Sequence, residues 1–257
     1  MRQPRGQNFL TDNNIARKIV AAAGIAPSDK VFEIGPGRGA LTEPLALAAK
    51  ELKAVEIDRV LFEGLKNRFA AYKNTELVLS DFLGYPFRDE AGPLKIVSNL
   101  PYDASTAIIE KFLPAGNWSR AVIMVQKEVG QRLTAAPGTG EYGSFTVLCR
   151  HYASAKKLFS VGPGCFFPKP KVDSAVLELT NLFPEELAPA FCGFVRAAFS
   201  QRRKTALNSI SSSLELPKES VLGAFGSSGI DPSLRPENLT LDQFRLLYKN
   251  LHFTADN

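Results

Sequence analysis

Four consecutive residues, Asn99-Leu100-Pro101-Tyr102, set a side-chain amide, a proline and an aromatic ring at the end of the apolar run Leu94-Lys95-Ile96-Val97. Pro101 pushes Leu100 toward an extended backbone and removes one N–H donor, which leaves the segment rich in carbonyl acceptors. The Asn99 side-chain oxygen and a nearby backbone carbonyl can accept both N–H bonds of an exocyclic aromatic amine. Such an amine is a poor nucleophile because its lone pair is delocalised into the ring. Two accepted bonds favour a pyramidal nitrogen with the lone pair aimed outward. Toward a sulfonium methyl, whose leaving group is already good, catalysis then rests on positioning and electrostatics. Tyr102 offers a ring face for a flipped base. The bland alternative is a chance turn.

A second constellation precedes it. Gly35-Pro36-Gly37-Arg38-Gly39 separates the strand-like Val31-Phe32-Glu33-Ile34 from a helical pattern beginning near Thr42. Glycines there let the backbone approach a ligand, and a helix N-terminus offers free N–H groups. Glu56 follows about 20 residues later, at the end of the next strand, where an acid can accept bonds from ribose hydroxyls. The turn alone fits a dinucleotide or S-adenosylmethionine, and a ligand-free tight turn is the bland reading. Asp81, after Glu76-Leu77-Val78-Leu79, can accept from an adenine amine; otherwise it is a turn residue.

These residues must be held by alternating strands and helices. Asp12 reads as the cap of a helix bearing Ile15, Ile19, Val20 and Ala23, stopped by Gly24. Strands are expected at 31–34, 53–57, 76–79, 94–97 and 121–125, with helices from 42 to 50, onward to about Tyr72, and from Ser105 to Phe112. Short apolar runs separated by helices indicate a parallel sheet in a layered α/β domain. Asn99, Glu56, Asp81 and the glycine turn then share its C-terminal edge. Two more strands, 157–161 and 174–179, flank a Gly/Pro-rich loop. From Pro184 the pattern is helical, so a small all-α domain is expected at 181–257 after a catalytic domain at 1–180.

Two basic segments stand out. Phe166-Phe167-Pro168-Lys169-Pro170-Lys171 pairs rings with cations in a stiff loop suited to stacking and phosphates, or is a proline-rich connection with a buried Phe. Arg202-Arg203-Lys204, continuing the helical face from Phe191 to Phe199, would form a collar of charge around a helix, or a solvated surface. Lys156-Lys157 reads as solvated.

The 257 residues are 45% hydrophobic and 22% charged, with a formal net charge of +5. This composition supports a full core and excludes a disordered chain, and the basic balance suits a polyanionic partner. Cys149, Cys165 and Cys192 are widely spaced, and His151 and His252 stand apart from other ligand types, so neither a disulfide framework nor a metal site is expected. No signal segment or run of about 18 apolar residues occurs. A soluble, cytoplasmic protein without membrane contact is expected.

The set of motifs resembles the bacterial 16S rRNA adenine dimethyltransferases (the KsgA family) and their eukaryotic relatives. The resemblance runs from Gly6 to about Leu247 through Gly6-Gln7-Asn8-Phe9-Leu10, Glu33-Ile34-Gly35-Pro36-Gly37, Glu56-Ile57-Asp58, Asp81-Phe82 and Asn99-Leu100-Pro101-Tyr102. It continues through Gln126-Lys127-Glu128-Val129, Tyr142-Gly143, Phe166 to Ser174 and Gln201-Arg202-Arg203-Lys204-Thr205. It implies a class I S-adenosylmethionine-dependent (Rossmann-like) methyltransferase domain with a small helical C-terminal domain. The implied reaction dimethylates two adjacent adenosines in the 3′-terminal hairpin of small-subunit rRNA. The implied context is an assembling 30S particle and a role in its biogenesis, with the protein acting as a monomer. Asn8, Leu10, Gly35, Glu56, Asp81 and Asn99 would hold the cofactor. Phe166 and Tyr102 would sandwich the target adenine beside Asn99, Leu100 and Pro101. Lys169, Lys171, Arg202, Arg203 and Lys204 would contact RNA. One departure is Arg5, where the family commonly has an aromatic residue.

Three other readings compete. A 23S rRNA adenine methyltransferase of the macrolide-resistance type shares the cofactor motifs and the tetrapeptide, but the Gln201-to-Thr205 segment favours the small-subunit enzyme. An NAD-dependent dehydrogenase would use Gly35 and Glu56 yet leave Asn99-Leu100-Pro101-Tyr102 without a role. A non-enzymatic RNA-binding assembly or transcription factor on this fold would not need Glu56, Asp81 and Asn99 intact.

Overall fold

The computed structural model describes residues 8–183, 189–201 and 203–255. Arg5, Gly6, Gln7 and Arg202 of the sequence motifs lie outside them. The chain divides into two compact units, Met1–Gly130 with Ala153–Leu182, and Gln131–Tyr152 with Phe183–Asn257.

In the first unit, β1 (Phe9–Leu10) leads into α1 (Asn13–Ala23). Asp12 caps α1 as expected, its Oδ1 accepting from Asn14 N at 2.8 Å and Ile15 N at 3.3 Å. There follow β2 (Lys30–Ile34), α2 (Thr42–Ala48), β3 (Glu51–Glu56), α3 (Arg59–Arg68), β4 (Thr75–Leu79), β5 (Leu94–Asn99), α4 (Ser105–Phe112) and β6 (Trp118–Gln126). α5 (Lys127–Thr134) then leads out of this unit into α6 (Ser144–Tyr152) of the second, and the chain returns to the first through β7 (Ala153–Val161), β8 (Phe166–Phe167) and β9 (Ser174–Asn181). Among the described residues the main sheet has the order β4-β3-β2-β5-β6-β9-β7. β2 to β6 pair in parallel, while β9 runs antiparallel to both β6 and β7, making the sheet mixed. Val31, Phe32, Ile34, Ile96 and Val97 are buried, as interior strands covered on both faces require. Lys156 and Lys157 are exposed on the edge strand β7, where charge discourages further pairing.

The chain passes from β2 outward to β3 and β4, then returns to place β5 on the other side of β2. The strand order therefore reverses between β2 and β5, and open α/β sheets bind ligands in the crevice at such a point. The Gly35 turn follows β2 and the Asn99 tetrapeptide ends β5, so both flank it.

The second unit adds α7 (Pro189–Ala198), α8 (Ala206–Ser213), α9 (Lys218–Ser228) and α10 (Leu241–Ala255). Its core joins Phe191, Phe194, Leu207, Ile210, Phe225 and Phe244 to Val147 and Leu148 of α6. The helical unit thus contains the central segment Gln131–Tyr152, which a single cut near 181 assigns to the other domain. The expected helical collar is corrected. α7 ends at Ala198 and α8 starts at Ala206 beneath the Thr205 cap, so Gln201, Arg203 and Lys204 lie in the connection. Lys204 N donates to Gln201 O at 3.0 Å, closing a turn.

Candidate active site

The switch point opens into a cavity of about 710 Å³, continuous with solvent, walled by the glycine turn, the ends of β3 and β5, and β1. Asn8, Leu10, Gly35, Glu56, Asn99, Leu100, Pro101 and Tyr102, all expected from the sequence, line it. β1 is held over this edge by antiparallel pairing with β8, Phe9 opposite Phe167 and Leu10 opposite Phe166.

The glycine turn needs its glycines. Gly35 and Gly37 have φ of +67° and +59°, a region costly for residues with a Cβ. A Cβ on Gly37 would also lie 3.2 Å from the Phe9 ring. Glu56, 2% exposed, stitches the turn to β3: Oε2 accepts from Gly37 N and Oε1 from Asp58 N, both at 2.9 Å. Burial raises its pKa, and these two amide bonds oppose the rise.

Asn99 donates from Nδ2 to the Asn8 carbonyl at 3.4 Å, while its buried Oδ1 has no hydrogen-bond partner. An unsatisfied acceptor at a cavity wall is costly unless a ligand completes it. Leu100 N donates to Met124 O at 3.0 Å, fixing the tetrapeptide to β6. The Tyr102 hydroxyl lies 2.6 Å from Ser174 Oγ. Burial raises the Tyr102 pKa, partly offset by Ser174, so the phenol stays neutral near pH 7.

Beyond Tyr102 a second cavity of about 860 Å³ shares Asn8 and Tyr102 with the first and is lined by Asp103, Gln126, Lys169 and Lys171. Both lysines are exposed. Among the described residues, no group of three or more His, Cys, Asp or Glu side chains could hold a metal ion. No helix among them is long and apolar enough to cross a membrane.

Two expected residues sit differently. Phe166 is 4% exposed and packs with Leu10, Ile19 and Val176, leaving no open ring face; the exposed ring is Phe167, at 56%. Alternation along β8 explains the exchange, since neighbouring strand residues face opposite ways. Asp81 lies past the end of β4 but does not line the cavity; its Oδ1 accepts from Leu83 N at 2.9 Å, closing a local turn.

Other wall residues were not singled out from the sequence as site residues. Phe9 lies beneath the Arg38 guanidinium at 4.6 Å and occupies the space a Cβ on Gly37 would need. Glu33, an acid inside an apolar strand, carries the available signal, because a buried parallel strand has no ordinary use for a carboxylate.

The donor set suits a ligand with both a ribose-like and a cationic part. Glu33 and Glu56 offer acidic oxygens, the turn offers close backbone approach, and Asn99 offers an unsatisfied acceptor.

The chain matches the family described as ribosomal RNA adenine dimethylase across residues 1–252. It is 43% identical over 244 residues to the ribosomal RNA small subunit methyltransferase A of Malacoplasma penetrans, covering 91% of this chain and 86% of that protein. Identity to the protein of the same name from Moorella thermoacetica is 42% over 266 residues, covering 97% and 92%. Among solved structures it resembles a dimethyladenosine transferase from Plasmodium falciparum, with TM-score 0.82, 26% identity and coverage of 96% and 98%. It also resembles the 23S rRNA methyltransferase ErmE, with TM-score 0.71, 27% identity and coverage of 95% and 100%.

Proposed function

Because this chain belongs to the ribosomal RNA adenine dimethylase family, we propose that it transfers methyl groups from S-adenosylmethionine to the N6 amines of two adjacent adenosines in small-subunit rRNA. The observation that carries this reading is Asn99: a buried amide oxygen without a partner, at the wall shared by the glycine turn and Tyr102.

Asn8, Leu10, Gly35 and Glu56 would hold the cofactor, with Asp81 at the same sheet edge joining if its side chain leaves the Leu83 turn. When bound, the cofactor supplies an electrophilic methyl on a sulfonium. In the first transfer Asn99 Oδ1 accepts one N–H of the target amine and the Leu100 carbonyl takes the other; in the second, the single remaining N–H is accepted by one of the two. The nitrogen lone pair then points outward, and the amine sheds its proton to solvent after transfer. Pro101 keeps this backbone extended and free of a competing donor. Tyr102 stacks on the extruded base, its ring pinned through Ser174. The catalytic power is that of orientation and fixed dipoles.

Lys169 and Lys171 beside the second cavity, and Arg202, Arg203 and Lys204, would take RNA phosphates. The Phe167 ring is better exposed for stacking than Phe166. We further infer action on an assembling 30S particle, by a monomer, in the cytoplasm.

The small-subunit substrate is favoured over the large-subunit one by the names of relatives at 42–43% identity. The test is nucleoside mass spectrometry after incubating unmethylated small and large subunits separately with the protein and S-adenosylmethionine. Dimethyladenosine confined to the small subunit is expected. Product only in the large subunit, or in neither, would overturn the reading.

A further inference from the structure

Glu33 lies between Phe32 and Ile34 on β2, is 1% exposed, and lines the first cavity. Its Oε2 is buried without a hydrogen-bond partner. An ionised carboxylate in this position is strongly disfavoured, because burial strips its water and no cation replaces it.

The groups around it do not relieve the problem. Thr42, at the start of α2, offsets burial only in part, and Glu56, at the end of β3, adds a second negative charge. Asn99 ends β5, and its amide N–H is turned to Asn8. Arg38 is the one cation among the described lining residues, and its guanidinium is stacked on Phe9 in the turn. Burial and Glu56 together push the Glu33 carboxyl up to about 8. Glu56 is different: its oxygens are each occupied by a backbone amide.

We propose that Glu33 is a second acid of the cofactor site, neutral in the unliganded protein and ionised against the positive charge of S-adenosylmethionine, so that cofactor binding expels a proton. This rests on the cofactor reading above. The carboxyl O–H bond breaks, its electron pair stays on the oxygen, and the proton passes to solvent. The cavity thereby avoids holding an uncompensated charge before the ligand arrives, and presents a full one afterwards. Affinity must then depend on pH. Below the free-state pKa the proton has to be removed for binding, so affinity rises with pH by up to about tenfold per unit.

The experiment is calorimetric titration of S-adenosylmethionine into the full chain at pH 7, in buffers of low and high ionisation enthalpy, repeated for Glu33→Gln. In the wild type the heat should vary with buffer as for release of about one proton, and affinity should climb between about pH 6 and 7.5. Glu33→Gln should bind more weakly, with no buffer dependence and a flat pH profile. Binding by the wild type without proton release overturns the proposal. Release that persists in Glu33→Gln also overturns it, placing the proton elsewhere. No binding at all by folded wild type overturns the cofactor reading, and this proposal with it. If Glu33→Gln does not fold, carboxyl ¹³C shifts of labelled wild type decide. One Glu titrating near 8 only without ligand supports the assignment, and all titrating in the ordinary acid range overturns it.

Discussion

The Tyr102 hydroxyl meets Ser174 Oγ at 2.6 Å, which ties the tetrapeptide after β5 to the first residue of β9, two strands away across β6. The ring is thereby fixed between the two cavities that share it. Stacking of a base on an aromatic ring contributes about 1–3 kcal/mol by alanine substitution. Tyr102→Ala should lower kcat/KM by that amount, and Tyr102→Phe should keep most of the activity. Ser174→Ala leaves a half-buried phenol without its partner and should cost about 1–3 kcal/mol of stability. Steady-state kinetics and thermal melts check both. A Phe variant as poor as Ala would show that the hydroxyl, not the ring face, is what the reaction uses.

Asn99→Ala should remove most methyl transfer while changing cofactor affinity by less than about tenfold, roughly 1.4 kcal/mol. The interaction lost is one made with the target amine and is worth most in the transition state. Binding calorimetry beside single-turnover kinetics separates the two quantities. Near-normal transfer would remove Asn99 from the mechanism.

Phe166 and Phe167 should part company. Truncating a buried Phe costs about 3–5 kcal/mol, so Phe166→Ala should lower the melting temperature sharply. Phe167→Ala should leave stability within about 0.5 kcal/mol and reduce transfer if its ring meets the RNA. A stable but inactive Phe166→Ala would restore the stacking role to Phe166 and imply that the β1–β8 pair opens when substrate binds.

These two residues also mark where sequence reading reached its limit. Strands 31–34, 94–97 and 174–179 and the 105–112 helix were legible because apolar runs and periodic faces are set by burial. Strand ends at Asn99 and Glu56 then put most of the cavity wall in place. β1 and β8 have two residues each, too few for any period, so the pair that buries Phe166 and turns Phe167 outward left no pattern. α6 hid for a different reason. Phe145, Thr146, Val147, Leu148, Cys149 and His151 are all buried, so the helix lacks the polar face that makes an amphipathic stripe readable. Its membership of the helical unit was hidden with it. Arg202 to Lys204 read as helical because they follow the Phe191-to-Phe199 face, but α7 ends at Ala198 and the Thr205 cap starts a new helix.

His151 predicts an acid limit to stability. It is 2% exposed, and its Nδ1 lies 3.2 Å from Arg245 Nη2. Arginine can only donate, so Nδ1 accepts and the ring is neutral. Burial, then the Arg245 charge, hold its pKa down to about 4 against an ordinary 6.5. Above pH 6.5 the folded and unfolded states are both neutral here, and stability is full. As pH falls from 6.5 toward 4, only the unfolded state takes up the proton, and up to about 3 kcal/mol is lost. Denaturant titrations from pH 8 to 4 should show this slope, and His151→Gln should flatten part of it. Parallel curves would show that other groups set the acid limit.

Arg203 and Lys204 are exposed in the connection between α7 and α8, with no acid paired to either among the described contacts. With Arg202 they make three successive cations in the sequence. A turn presents such side chains in different directions, which suits several phosphates of a folded RNA better than one base edge. Phosphate contacts release counterions, so each one lost should reduce the salt slope of RNA binding by about 0.7–0.9. Replacing all three with Gln should therefore weaken binding to small-subunit RNA, most at low salt, and leave cofactor affinity and the melting temperature unchanged. Preference between RNA sequences should barely move, because backbone contacts set register without reading bases. Binding measured at several salt concentrations for the wild type and the triple variant checks this. Coincident affinities and parallel slopes would mean that these three cations make no phosphate contact, and that Lys169 and Lys171 beside Tyr102 carry the phosphate contacts instead.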